Sequence, residues 1–251
     1  MTTSNLTDKV AVITGGNSGI GRAAALALAE RGAAVVLGAR REDRGEAVAE
    51  EIRALGGRAL FIKTDVTQKD QVEALVAAAV GEFGGVDIAF NNAGIEGASL
   101  APLGEESEDN MRKVMEVNYV GLWHSMRAEI PELAKRGGGV IINTTSVAGL
   151  RGFPAFSSYV ASKFAVEGLS RSVAYEVAGL GIRVNTVAPG PIETELLDRA
   201  TGGDASGFTQ MVPLQRAGTA EEVGQVVAFL ASQEASYING QALRIDGGMM
   251  A

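Results

Sequence analysis

Short apolar, β-branched runs alternate with stretches of helical periodicity along almost the whole chain. Val10–Thr14 is followed by the Ala- and Leu-rich residues 22–31, and Gly32 stops that stretch as a glycine just past a helix end does. Residues 35–38 precede a helical stretch over 42–55, closed by Gly56 and Gly57. Residues 59–63 form the third run. Thr67 is then expected to cap a helix with Asp70 in its first turn. Val72, Leu75, Val76 and Ala79 fall on the buried face of that helix. The remaining strand runs are 86–91, 139–145, 182–188 and Ala242–Ile245. Between them lie a long helical stretch over 105–135, which an interruption could divide, another over 157–180, and one opened by the capping box Thr219 to Glu222. Strands that alternate with helices in this way are parallel, and their crossovers cover both faces. The expectation is an α/β fold with a seven-stranded parallel sheet. Mostly short connections favour one domain over residues 1–251. The exception is the loop of about residues 190–213, where Leu196, Leu197, Phe208 and Met211 stand among Gly, Asp and Thr. A long apolar-bearing insertion after a strand is a candidate lid over a substrate.

Between the first run and the first helix, Gly15, Gly19 and Gly21 punctuate a turn that also holds Asn17, Ser18 and Ile20. Glycines here let the backbone turn tightly and let a pyrophosphate approach a helix N-terminus. The spacing Gly-x-x-x-Gly-x-Gly differs from the commoner Gly-x-Gly-x-x-Gly, so the strand–turn–helix context carries the reading. The residue ending the second strand discriminates between cofactors. An acidic side chain there binds the 2′-hydroxyl of NAD. By spacing the position is Ala39, followed by Arg40 and Arg41. Arginine holds a 2′-phosphate by a two-pronged contact, so NADP(H) is expected in preference to NAD(H).

Composition removes several other classes. A net charge of −8 argues against nucleic-acid binding, which needs a basic face. The chain has no cysteine, which excludes disulfides and thiolate chemistry and suits a reducing cytoplasm. Residues 1–9 are polar, without the apolar core of a secretory leader, and no run of apolar residues is long enough for a membrane span. No clustered ligands suggest a metal. The one histidine, His124, falls in a helical stretch and reads as a packing residue.

Tyr159 and Lys163 are four residues apart on an expected helix, thirteen residues beyond Ser146. At that spacing the two side chains share one face. A lysine charge beside a phenol favours the phenolate, making a proton donor or acceptor usable near neutral pH.

Together with Thr14–Gly21, Asp65-Val66, Asn91-Asn-Ala-Gly94, Asn118, Pro189-Gly190 and Asp246-Gly-Gly248, these residues resemble the short-chain dehydrogenase/reductase family over nearly the whole chain. The resemblance implies a doubly wound Rossmann fold and a carbonyl reductase, reversible to alcohol oxidation. It implies that Tyr159 is the general acid, that Ser146 hydrogen-bonds the carbonyl oxygen, and that Lys163 lowers the tyrosine pKa and holds the nicotinamide ribose. Asn118 would bind a water that resupplies the proton. Asp65 and Val66 would contact adenine, and Asn91, Ala93 and Gly94 would lie along the adenosine ribose side. Ile192 and Thr194, after Pro189 and Gly190, would orient the nicotinamide ring. Ser18 stands where NADP-preferring members often carry a second basic residue.

Within that family a 3-oxoacyl-carrier-protein reductase is one alternative, and an NAD-dependent sugar or steroid dehydrogenase another. Carrier-protein reductases usually place an arginine before the glutamate of the Tyr/Lys helix; here Tyr175 precedes Glu176. A cofactor-binding protein without turnover would be expected to lack part of the Ser146, Tyr159, Lys163 set, which is complete. A hydrolase using Ser146 lacks a Gly-x-Ser-x-Gly elbow. The expected substrate lining is Ile95, Glu96, Val147, Phe153, Phe156, Leu196, Leu197 and Met211, mostly apolar and better suited to a bulky or aryl ketone than to a sugar. Glu96 either contacts the substrate or points to water. The resemblance also implies a homotetramer built on stretches 105–135 and 157–180, where Ala161, Ala165 and Gly168 permit close packing.

Overall fold

In the computed structural model, which describes residues 5–97 and 101–251, one parallel sheet organises the molecule. The elements run β1 Val10–Thr14, α1 Gly19–Glu30, β2 Ala34–Ala39, α2 Glu42–Ala54, β3 Arg58–Lys63, α3 Lys69–Phe83 and β4 Ile88–Asn91. Then follow α4 Glu108–Met115, α5 Gly121–Lys135, β5 Gly139–Thr144, α6 Ser157–Glu176 and β6 Ile182–Pro189. The chain closes with α7 Glu195–Thr201, α8 Ser206–Thr209, α9 Ala220–Ala231 and β7 Ala242–Ile245. The strand order is β3-β2-β1-β4-β5-β6-β7, with every pairing parallel. This is the doubly wound Rossmann arrangement, whose strand order reverses between β1 and β4.

Strands buried on both faces must be apolar throughout, and β1 and β2 are buried along their full length. Ala11, Ile13, Val35 and Leu37 point to one face, against Leu28 of α1 and Val223 and Val227 of α9. Val10, Val12 and Val36 point to the other, against Leu75 of α3, Met126 of α5 and Val166 of α6. The alternation of side chains along each strand thus feeds two cores.

Three local expectations are corrected. Thr67 does not cap α3: Gln68 holds the N-cap position, because the Thr67 hydroxyl donates to Asp65 Oδ1 at 2.9 Å instead. Over 105–135 the interruption the sequence left open is present: two helices, opened by Ser107 as N-cap, are joined by a π-helical turn, Glu116–Val120, that contains Asn118. The Tyr/Lys helix ends at Glu176, and a separate 3₁₀ turn spans Ala178–Leu180. Helix α1 starts earlier than its apolar pattern, so Gly19, Ile20 and Gly21 form its first turn. The Thr219–Glu222 capping box is present in both directions.

Candidate active site

A cavity of about 520 Å³ opens at the carboxyl ends of the strands, over the point where the strand order reverses. Its floor is the glycine turn. Gly15 has φ +68°, and a Cβ there would come within 2.9 Å of Ala93 Cα, so the turn packs directly on the loop after β4. Gly21 does not line the cavity; a Cβ on it would stand 2.1 Å from the Gly15 carbonyl oxygen. Its role is close packing of helix on turn. Asn17, Ser18, Gly19 and Ile20 do line the cavity. The Ser18 hydroxyl accepts from Arg41 Nη2 at 2.9 Å and makes no cap bond to α1. Among the described residues the first amides of α1 therefore have no side-chain acceptor.

Around this turn, Arg40, Arg41, Asp65 and Val66 form the wall at the ends of β2 and β3. Ala93 and Gly94 line the cavity after β4, and Pro189, Gly190, Ile192 and Thr194 after β6. Asn91 departs from expectation. It is buried, and its Nδ2 donates to Glu129 Oε2 and Asn143 Oδ1, both at 3.0 Å, so its side chain faces the core. Asn92, one residue on and so on the opposite side of the strand, borders the cavity and donates to the Gly15 carbonyl at 3.2 Å. The set fits a dinucleotide: uncapped helix amides at a glycine turn accept a pyrophosphate, and exposed arginine closes the end beyond β2.

At the other end stand Ser146, Tyr159 and Lys163. Ser146 leads from β5 into a 3₁₀ turn, and its Oγ accepts from the Ala148 amide at 3.1 Å. Ser146 Oγ also donates to the Pro189 carbonyl at 3.5 Å, and Tyr159, one turn from Lys163 on α6, shares the cavity wall with it. Burial pushes the Tyr159 phenol up to about 12; the Ser146 hydroxyl opposes this and the Glu96 carboxylate adds to it. Lys163 Nζ donates to the Thr144 carbonyl at 2.9 Å and lies 5.6 Å from the Tyr159 ring centre. Burial lowers the Lys163 ammonium to about 8, with Glu167 opposing. Desolvation, not the lysine charge, therefore dominates the tyrosine, and the phenol is held protonated.

Asn118 is buried behind this group and does not line the cavity. Its Oδ1 accepts from the Ile95 amide and its Nδ2 donates to the Ile95 carbonyl, both at 2.8 Å, with a further bond to Ser162 Oγ. A Cβ on Gly94 would stand 3.3 Å from Asn118 Oδ1 and 3.4 Å from Lys163 Nζ, so the missing side chain leaves a gap between them.

Of the expected substrate lining, Ile95, Val147, Phe153, Phe156, Leu196 and Leu197 surround the cavity near Ser146 and Tyr159. Met211 does not: it is 43% exposed and outside the lining. Phe208, one helical turn earlier, takes its place and packs edge-on against Phe156 at 6.1 Å. Met249, near the chain end, also lines the site and had no local signal in the sequence. Glu96 is paired with Arg199 of α7, from Nε to Oε1 at 2.7 Å and from Nη2 to Oε2 at 3.1 Å. The Thr194 hydroxyl accepts from the Leu197 amide at 3.4 Å and so caps α7. The loop expected to be a lid thus carries two short helices over the cavity. His124 lies against Trp123 and the Val66 carbonyl, away from Ser146. Among the described residues no three His, Asp or Glu side chains converge as metal ligands, and no helix is long and apolar enough to cross a membrane.

Residues 15–250 match the family described as enoyl-(acyl carrier protein) reductase. A cyclohexanol dehydrogenase of Acinetobacter sp. (strain SE19) is 42% identical over 96% of this chain and 94% of its own length. A 3-oxoacyl-[acyl-carrier-protein] reductase of Staphylococcus epidermidis is 38% identical over 96% of this chain and 99% of its own. The crystal structure of a short-chain type dehydrogenase/reductase from Mycobacterium marinum superposes with a TM-score of 0.93 at 39% identity, covering 98% of this chain and 97% of that one.

Proposed function

Because the chain belongs to the short-chain dehydrogenase/reductase family and is an oxidoreductase of alcohols and ketones, we propose that it is an NADPH-dependent reductase of apolar, ring-bearing ketones. The reaction is reversible to oxidation of the secondary alcohol. The observation that carries this reading is the placement of Ser146, Tyr159 and Lys163 at the apolar end of a cavity whose other end holds the glycine turn and Arg40.

The bound nicotinamide supplies the hydride. The protein's part is the proton and the charge. A ketone oxygen between the Ser146 and Tyr159 hydroxyls receives two hydrogen bonds that strengthen as negative charge develops on it. Tyr159 then gives up its proton to that oxygen, and a phenol at about 12 is in the required protonated form at neutral pH. Lys163 steadies the phenolate that remains. A water in the gap in front of Gly94, between Asn118 Oδ1 and Lys163 Nζ, would return the proton. Ile192 and Thr194 would orient the nicotinamide, and Asp65, Val66, Ala93 and Gly94, which line the cavity, would hold the adenosine half. The side chain of Asn91 is excluded from this set by its burial.

The substrate class rests on Val147, Phe153, Phe156, Leu197 and Phe208, which offer aromatic and aliphatic contact around the reacting oxygen. The relative from Acinetobacter, named for cyclohexanol, supports a ring substrate. Assays of cyclohexanone, an acetoacetyl thioester and a keto sugar, each with NADPH and with NADH, test the reading. The expected order of kcat/KM is cyclohexanone first and NADPH over NADH. A clear preference for the thioester contradicts it in favour of the carrier-protein reductase.

The assembly we propose is a homotetramer. Its support is that Trp123 on α5 and Phe164 on α6 are exposed, with open space over Gly168 of α6. A monomer mass in light scattering removes it.

A further inference from the structure

Glu195, the first residue of α7, sits between two arginines from the opposite wall. Arg41 Nη1 reaches its Oε2 at 2.9 Å, and Arg44 bonds its Oε1. The second prong of Arg41 goes to Ser18 Oγ at 2.9 Å. Arg41 is therefore already occupied on both sides, by an internal carboxylate and by the glycine turn. Arg40 differs: it is exposed at the cavity rim and makes no hydrogen bond or ion pair among the described residues. The guanidiniums hold the Glu195 carboxyl below the ordinary carboxylate range, so it is charged at neutral pH.

We propose that Glu195 is a specificity-determining residue for the cofactor, competing with the 2′-phosphate of NADPH for Arg41. The proposal rests on the assignment of Arg40 and Arg41 to the 2′ position made above. A 2′-phosphate at the end of β2 meets the open Arg40 without rearrangement. To gain the two-pronged contact of Arg41 as well, it must displace the Glu195 carboxylate or lie beside it as a like charge, and like charges brought together oppose binding. A 2′-hydroxyl asks nothing of Arg41 and leaves the pair undisturbed. Glu195 therefore narrows the gap between NADPH and NADH. Arg199 is one turn further along the same helix and is tied to Glu96, so α7 stays anchored over the substrate end when its first turn is released.

The test is the ratio of kcat/KM, and of Kd by fluorescence titration, for NADPH against NADH at low salt. The proteins are the wild type, Glu195→Gln, Arg41→Ala, the double variant and Arg40→Asp. Glu195→Gln keeps the size of the side chain and removes its charge, and Thr194, which caps α7, is untouched. Its ratio should rise by about 3–10-fold toward NADPH, chiefly through the NADPH Kd, and the rise should shrink with added salt. Arg41→Ala should lower the ratio, and the rise from Glu195→Gln should be smaller on that background, since only the like-charge part remains. If Arg41→Ala lowers the ratio but Glu195→Gln moves it by less than about 1.5-fold, the competition is overturned while the cofactor assignment stands. If neither Arg41→Ala nor Arg40→Asp moves the ratio, the 2′-phosphate assignment itself falls and the competition falls with it.

Discussion

Glu96 and Arg199, 103 residues apart in the chain, meet in a two-point ion pair that joins the loop after β4 to the helix roofing the cavity. Glu96 is buried and Arg199 exposed, so the pair fixes the position of α7 from below. The sequence left Glu96 open between a substrate contact and solvent. The structure gives it a third place, as an anchor for α7.

Loosening that anchor should act on substrate retention more than on chemistry. Glu96→Gln keeps one hydrogen bond but loses the charge pairing. We expect KM for the ketone to rise by about 5–20-fold while kcat changes by less than about 3-fold. Hydrogen exchange over residues 195–201 should quicken in parallel. An unchanged KM would show that α7 is held by its other contacts.

The pH profile of reduction should carry the signature of Lys163. Its ammonium is lowered by burial to about 8, so it is charged below that pH and neutral above it. Tyr159, at about 12, stays protonated over the same range and adds no limb of its own. With saturating NADPH, kcat/KM for the ketone should fall as pH rises through about 8. A profile level to about pH 10 would remove Lys163 as the charged partner.

Glu129 predicts a pH effect on stability that is separate from catalysis. Burial raises its carboxyl from 4.5 to about 7, opposed by the hydrogen bond from Asn91. A folded-state pKa above the unfolded value means that the contribution is fully present below about pH 4.5 and is lost as pH rises through about 7. The loss has an upper bound of roughly 3 kcal/mol. Glu129→Gln does not titrate and keeps an acceptor for Asn91. Its Tm should exceed that of the wild type at about pH 8 by roughly 5 °C or more, with little or no advantage at about pH 5. Parallel Tm curves for the two proteins would contradict the burial argument.

What was legible in the sequence was what repeats locally. Strands β1 and β7 and the Thr219–Glu222 box follow directly from apolar runs and capping chemistry. The glycine turn was legible from its strand–turn–helix context, and Ser146, Tyr159 and Lys163 from their resemblance to the motifs of a known family. What was not legible depends on which way a side chain faces at an element's end. Asn91 and Asn92 are identical neighbours, and only the pairing of Asn91 with Asn143 on β5 turns the first into the core. Met211 and Phe208 are both apolar residues of one loop, and the short helix Ser206–Thr209 selects Phe208 for the cavity. Thr67 had a better-placed partner in Asp65 than in the helix that follows. The Glu96–Arg199 and Arg41–Glu195 pairs join distant segments, and no local period encodes them.

Tyr159 as the proton donor in a nicotinamide-dependent reduction can be tested directly. The most direct measurement is kcat for NADPH-dependent cyclohexanone reduction by Tyr159→Phe, alongside the Kd for NADPH. Removing the hydroxyl deletes the acid and leaves the ring packed against Phe156. The account predicts a fall in kcat of at least about 10³-fold with the Kd within about 3-fold of wild type. A kcat within about 10-fold of wild type, at an unchanged Kd, would contradict it.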